Sequence, residues 1–173
     1  DIAILVTVFA LTFAIVAPTG QVVLKRFNRA QILLLGLALI AIGMGVGAAA
    51  PNYQMLFASR IILGVGGALV SPMCSAIGSE MTVPELQGRA MALVFSGLAV
   101  STVVGVPLTA YLGTLFGWRL VMGLIAALAL LSIILVAVKV RDSQVGGATK
   151  FEHLFALLGQ RQTGLAILTA FLQ

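Results

Sequence analysis

The stretch Gly97–Arg119, GLAVSTVVGVPLTAYLGTLFGWR, is apolar nearly throughout, yet it carries glycine at 97, 105, 113 and 117 and proline at 107. Both residue types weaken helices in water. In lipid the balance differs, because helices gain little from hydrophobicity against one another and associate where small residues let backbones approach. Every fourth residue from Gly97 is small: Gly97, Ser101, Gly105, Thr109 and Gly113. On a helix these positions form one ridge that drifts about 40° per step, which suits an obliquely crossing partner. Pro107 removes one backbone hydrogen bond and loosens the helix near its outer half. Two readings of the ridge stand side by side: plain packing, common to membrane bundles, and a hinge and seal between two moving bundles.

Composition points to the same setting. Of the 173 residues, 61% are hydrophobic and 9% charged, with a mean hydropathy of +1.16. Soluble domains carry about 25% charged residues, and a surface this poor in charge is not solvated by water. The chain therefore reads as an all-α, polytopic membrane helix bundle. Its net charge of +5 is scattered over loops without exposed aromatics, a topology signal rather than a nucleic-acid surface. The lone Cys74 allows no internal disulfide and reads as a small packing residue. The sole histidine, His153, has no metal-ligand partner nearby, and no nucleotide or nucleophile motif is present. These residues exclude a metal site and a cofactor, and leave an enzyme without a nucleophile, base and orienting group.

A membrane span needs about 20 apolar residues. Five runs fit, at 2–19, 31–50, 53–78, 89–112 and 118–140, giving a transmembrane bundle over 1–140. A polar loop follows at 141–162 and another run starts at 163–173. Within that loop Phe151, Leu154, Phe155 and Leu158 fit either a short amphipathic helix on the membrane surface or an early start of the next span. The first, third and fifth loops hold eight of the ten Lys and Arg, which places them in the cytoplasm. Asp1 then lies at the outer face, and an odd number of earlier spans, most simply one, is expected before it.

The third run, YQMLFASRIILGVGGALVSPMCSAIG, buries an arginine. Arg60 sits seven residues after Tyr53, a depth of about 10 Å. An arginine at a helix centre costs roughly 2.5–3.5 kcal/mol. It either snorkels to the outer head groups or serves a function. Gly64, Gly67, Ser71 and Ser75 follow it at steps of 4, 3, 4 and 4, a small and polar face suited to a water-filled cavity near the midplane. No acidic residue lies inside any of the five runs: Asp1, Glu80, Glu85, Asp142 and Glu152 are terminal or in loops.

These motifs resemble the major facilitator superfamily. GVPLTAYLGTLFGWR is similar to its fifth span in the twelve-span drug:proton antiporter branch, where a glycine-and-proline motif precedes a Gly-Trp-Arg. Here Val106 stands between Gly105 and Pro107, and Thr109 stands where glycine is frequent; TVVGVP resembles chloramphenicol-resistance and sugar-efflux members. RIILGVGGA is similar to the fourth-span pattern, which implies a role for Arg60 in proton coupling. GQVVLKRFNRAQ resembles the hallmark cytoplasmic loop with Arg26 and Arg29 on its basic positions, Lys25 where an aspartate stands, Asn28 on the second glycine and Gly20 beside the first. The acidic half of that motif is lost. Arg26 and Arg29 are left to pair with another acid or a helix C-terminus, and Asn28 suits the left-handed turn that glycine fills. As a plain reading the same loop is a topology signal. Arg89 resembles the family's arginine at the start of the fifth span, or is a flanking charge; Trp118 reads as an interface tryptophan.

The resemblance implies the N-terminal half of the fold without its first span, in the bacterial cytoplasmic membrane and monomeric when full length. It implies alternating access around a midplane site, with a small molecule, protons and the bilayer as partners and proton-driven export of a drug or sugar-like compound as the activity. The alternatives are a sugar or nucleoside uptake symporter on the same fold and a non-transporting truncated membrane protein.

Overall fold

The computed structural model describes residues 2–24, 27–80 and 82–139. Lys25 and Arg26, the loop at 141–162 and the run at 163–173 lie outside them. The described residues form helices and no strand: α1 (Ile2–Val23), α2 (Arg29–Ala48), α3 (Tyr53–Glu80), a 3-10 turn (Pro84–Leu86), α4 (Gln87–Val100), a π-helical turn (Ser101–Gly105), α5 (Val106–Phe116) and α6 (Trp118–Lys139). Taking α4 to α5 as one span, five helical segments are long and apolar enough to cross a membrane. The chain is a multi-pass, all-α membrane bundle.

Local chemistry sets the boundaries. The Asn52 side chain accepts the Met55 N–H at 3.0 Å and starts α3. Asn28 starts α2: its own N–H donates to Gln31 Oε1 at 3.2 Å, one arm of a capping box. This corrects the turn expected there. Asn28 sits at φ −65°, ψ 143°, extended backbone that any residue adopts, so it does not stand in for a left-handed glycine. That conformation occurs instead at Gly117, whose φ of +83° reverses the chain in one residue between α5 and α6.

Helix α3 is the axis of the bundle. It packs against both α1 and α2, while α2 also packs along α6. Glycines set these distances. A Cβ on Gly66 would stand 2.8 Å from the Gly36 carbonyl and 3.0 Å from the Ile40 nitrogen, so α2 and α3 touch backbone to backbone. Near the C-terminal end of α2, Gly47 lies over Ser59, which is fully buried and donates to the Leu56 carbonyl at 2.6 Å. At the other end Ile32, Leu33, Leu69, Met73 and Ile77 form the apolar core, with Cys74 and Val136 against it. Cys74 is thus a packing residue.

The α4–α5 span is the outlier, because no residue of it is buried. Its π-turn has two local causes. The Thr102 hydroxyl donates to the Leu98 and Ala99 carbonyls at 3.1 and 2.9 Å, which opens the helical ladder. Pro107 has no N–H to offer Val103 and its ring crowds that carbonyl. Widening the turn before it puts Pro107 in the first turn of α5, where a missing donor is harmless.

Candidate functional site

Arg60 stands between two cavities. One, of about 420 Å³, lies between α2, α3, α5 and α6 and is lined by Met44, Arg60, Thr109, Gly113, Trp118 and Met122 among others. The second, of about 290 Å³, lies between α1, α2 and α3 and is lined by Phe9, Ile40, Met44, Arg60, Leu63 and Gly67. Arg60 and Met44 line both. The Arg60 side chain is half-buried, and its Nε is shielded from solvent with no hydrogen-bond partner among the described residues. A shielded, unmatched N–H of a cation costs free energy of roughly 1–3 kcal/mol. Among the described residues its charge has no close counterweight, since the acidic ones are Glu80 and Glu85. They lie at least 20 residues farther along the chain, Glu80 as the last residue of α3 and Glu85 beyond it.

The small face running from Arg60 does not stay together. Gly67 shares the smaller cavity with Arg60. Gly64 is buried under α1 instead: a Cβ there would meet Thr12 Cβ at 2.8 Å and the Phe9 carbonyl at 3.0 Å. Ser71 is exposed, and the Ser75 hydroxyl donates to the Ser71 carbonyl at 3.4 Å, away from the Arg60 cavities.

The ridge on the fifth span divides as well. Thr109 and Gly113 line the larger cavity beside Arg60, and a Cβ on Gly113 would lie 3.9 Å from Val121 Cγ2 on α6. Around Gly97 and Gly105 there is open space, and Ser101 and Pro107 are exposed. In the cytoplasmic-loop motif, Gly20 is buried against Leu69 of α3, while Arg29 is the first residue of α2.

Sequence reasoning did not find Met44 or the second role of Trp118. Trp118 lines the larger Arg60 cavity and also a pocket of about 280 Å³ formed with Ala50, Pro51, Asn52, Tyr53, Leu56 and Arg119. The Arg119 guanidinium lies 4.4 Å from the Trp118 ring centroid and donates from Nη2 to the Ala50 carbonyl at 3.1 Å. Ala50 follows the cap of α2, so the cation meets the negative end of that helix dipole. A signal for this existed: an arginine in the first turn of α6 opposes its own helix dipole and calls for a partner elsewhere. Arg119→Gln is expected to lower bundle stability by about 1 kcal/mol. A thermal unfolding series checks it, with Arg119→Lys falling between the variant and the parent; an unchanged midpoint in both would refute the clamp.

The comparisons with known proteins agree with this architecture. The family model described as Major Facilitator Superfamily matches residues 1–173. An uncharacterised MFS-type transporter of Bacillus subtilis, YbcL, is 25% identical over 96% of this chain and 43% of its own length. The Escherichia coli inner membrane transport protein YdhP is 26% identical over 97% of this chain and 43% of its own. A chloramphenicol efflux pump of Mycobacterium tuberculosis is 33% identical over 68% of this chain and 30% of its own. The chain spans less than half the length of these relatives. With a family match along all of its residues, the chain belongs to the Major Facilitator Superfamily.

Proposed function

We propose that the protein is a secondary active transporter that exports a small molecule in exchange for protons, by alternating access, in the bacterial cytoplasmic membrane. The observation that carries this reading is the placement of Arg60: a membrane-embedded cation with a shielded, unmatched donor, bordering two cavities. Such residues are expensive in a bilayer and mark substrate or ion pathways. A fixed positive charge there lowers the pKa of a neighbouring carboxylate. The proton carrier itself is assigned to residues outside 2–139, since no acid lies near Arg60 in the described helices. Similarity to a chloramphenicol efflux pump favours export over uptake. The open, glycine-lined face of the α4–α5 span supports a moving contact at the interface of two bundles, with Pro107 and the π-turn as its flexible point. Arg26 and Arg29 help to latch the cytoplasmic side.

The test uses the full-length protein in inverted vesicles with an inside-acid gradient. Adding candidate drugs and sugars is expected to release protons, and Arg60→Ala is expected to lower that release roughly tenfold or more, the size of one pKa unit. Release that persists unchanged in the variant would remove Arg60 from the coupling path. No release with any compound would overturn antiport and leave a symporter of the same fold or a membrane protein that moves nothing.

A further inference from the structure

We infer that Trp118 is a gate. Its indole, latched through Arg119 to the Ala50 carbonyl, closes the larger Arg60 cavity toward the end of the bundle where α2 turns into α3, and swings aside to let a solute pass from water. The inference rests on the alternating-access reading above and adds the side chain that controls entry at one end.

Three observations carry it. First, Trp118 lines both the cavity of about 420 Å³ beside Arg60 and the pocket of about 280 Å³ at the α2–α3 turn, and the two linings share no other residue. Second, the two spaces lie at different depths. The pocket is bounded by Ala50, Pro51 and Asn52, which join α2 to α3, and by Trp118 and Arg119, which begin α6. Helix ends of a membrane bundle meet water and head groups. Arg60 stands seven residues after Tyr53 on α3, and Ile125 seven residues after Trp118 on α6, so the cavity that Arg60 and Ile125 line reaches about 10 Å deeper.

Third, the indole is held by a latch that can open. The Arg119 guanidinium lies 4.4 Å from its ring centroid and donates to the Ala50 carbonyl at 3.1 Å. Trp118 and Arg119 are both exposed, and contacts of this kind at a surface are weak enough to break and reform. Trp118 is also the first residue of α6, where a backbone N–H has no acceptor within its own helix. A Cβ on Gly117, just before it, would meet nothing within 4 Å, so the ring has room to swing. A tryptophan that only anchored the bundle among head groups would leave entry to the cavity unchanged. A gate limits entry, and the reaction rate of a group inside then follows the fraction of time the indole is open.

The reporter is Ile125→Cys, inside the cavity, in full-length protein without other cysteines and held in lipid nanodiscs that leave both faces in water. The probe is 2-sulfonatoethyl methanethiosulfonate, an anion that does not cross lipid; it forms a disulfide with a thiolate and releases methanesulfinate. Trp118→Ala is expected to raise the labelling rate about tenfold or more, and Arg119→Gln, which keeps the ring but removes its tether, about threefold. Trp118→Phe keeps a ring and should stay within about twofold of the parent. An unchanged rate in Trp118→Ala, or an equal rise in Trp118→Phe, would overturn the gate. Cys74, packed against the apolar core, is the control for a loosened fold. Restored as the single cysteine, it should label no faster in Trp118→Ala, and a parallel rise there would also overturn the inference. Labelling needs no transport, so solute-driven proton flux is read separately on the same variants in vesicles. A gated rate without flux would keep the gate and overturn antiport, and flux with an ungated rate would do the reverse.

Discussion

Gly66→Val is expected to break the bundle. The added Cβ would stand 2.8 Å from the Gly36 carbonyl, 2.9 Å from Ile40 Cγ1 and 3.0 Å from the Ile40 nitrogen. Two of those three neighbours are backbone, which cannot rotate away as a side chain can. Relief requires α2 and α3 to separate along their backbone contact, where a Cβ on Gly36 would likewise stand 2.8 Å from Val70 Cγ2 and 3.1 Å from the Gly66 carbonyl. Overpacking of this kind costs about 3 kcal/mol, and here it falls on the helix against which both neighbours rest. The measurement is the thermal midpoint of the detergent-purified protein by size-exclusion fluorescence. Gly45→Val is the control: its Cβ meets nothing within 4 Å, so it carries the same change of helix propensity without the clash. Equal midpoints for the two variants would refute the close contact.

Gly105→Leu is expected to show the opposite pattern. A side chain there enters open space, and the packing of the described helices does not change. Stability should therefore stay within about 0.5 kcal/mol of the parent. Transport by the full-length protein is expected to fall about tenfold or more, because the ridge of Gly97, Ser101 and Gly105 is smooth only while its residues are small, and close helix approach depends on that. The measurement is solute-driven proton flux in vesicles beside a thermal midpoint on the same preparation. Full flux in Gly105→Leu would reduce this ridge to a face toward lipid. Lost flux together with a lowered midpoint would return it to ordinary packing.

The contrast between Gly66 and Gly105 shows where sequence reading stops. The helices were legible, because runs of apolar residues long enough to span a bilayer admit one backbone solution, and Asn52, Pro84 and Gly117 mark their ends. Arg60 was legible because a charge in such a run is costly. Which face of each helix packs was not. These helices are apolar all round, so the amphipathic pattern that orients a helix in a soluble protein is missing. Gly64 and Gly67 both follow Arg60 on a helical repeat, yet Gly64 is pressed under Thr12 and Gly67 opens on the cavity. Met44 carried no signal, since a methionine within an apolar run looks like any other core residue. Asn28 was misread because asparagine serves left-handed turns and helix caps alike, and Gln31 three residues later was the cue for the cap.

The π-helical turn at Ser101–Gly105 also changes how this span relates to others of its length. A wide turn is equivalent to one inserted residue in an otherwise regular helix. The turn absorbs that residue, so the segments on either side keep their faces: Gly97 lies on one and Thr109 and Gly113 on the other. Removing a single residue at the wide turn would restore an unbroken α-helix with Thr109 and Gly113 aimed much as they are, whereas removing one from the regular segments beside it would turn them by about 100° relative to Gly97. In evolutionary terms the turn is a tolerance for one residue: it takes up a change of length that a comparison of substitutions alone would pass over.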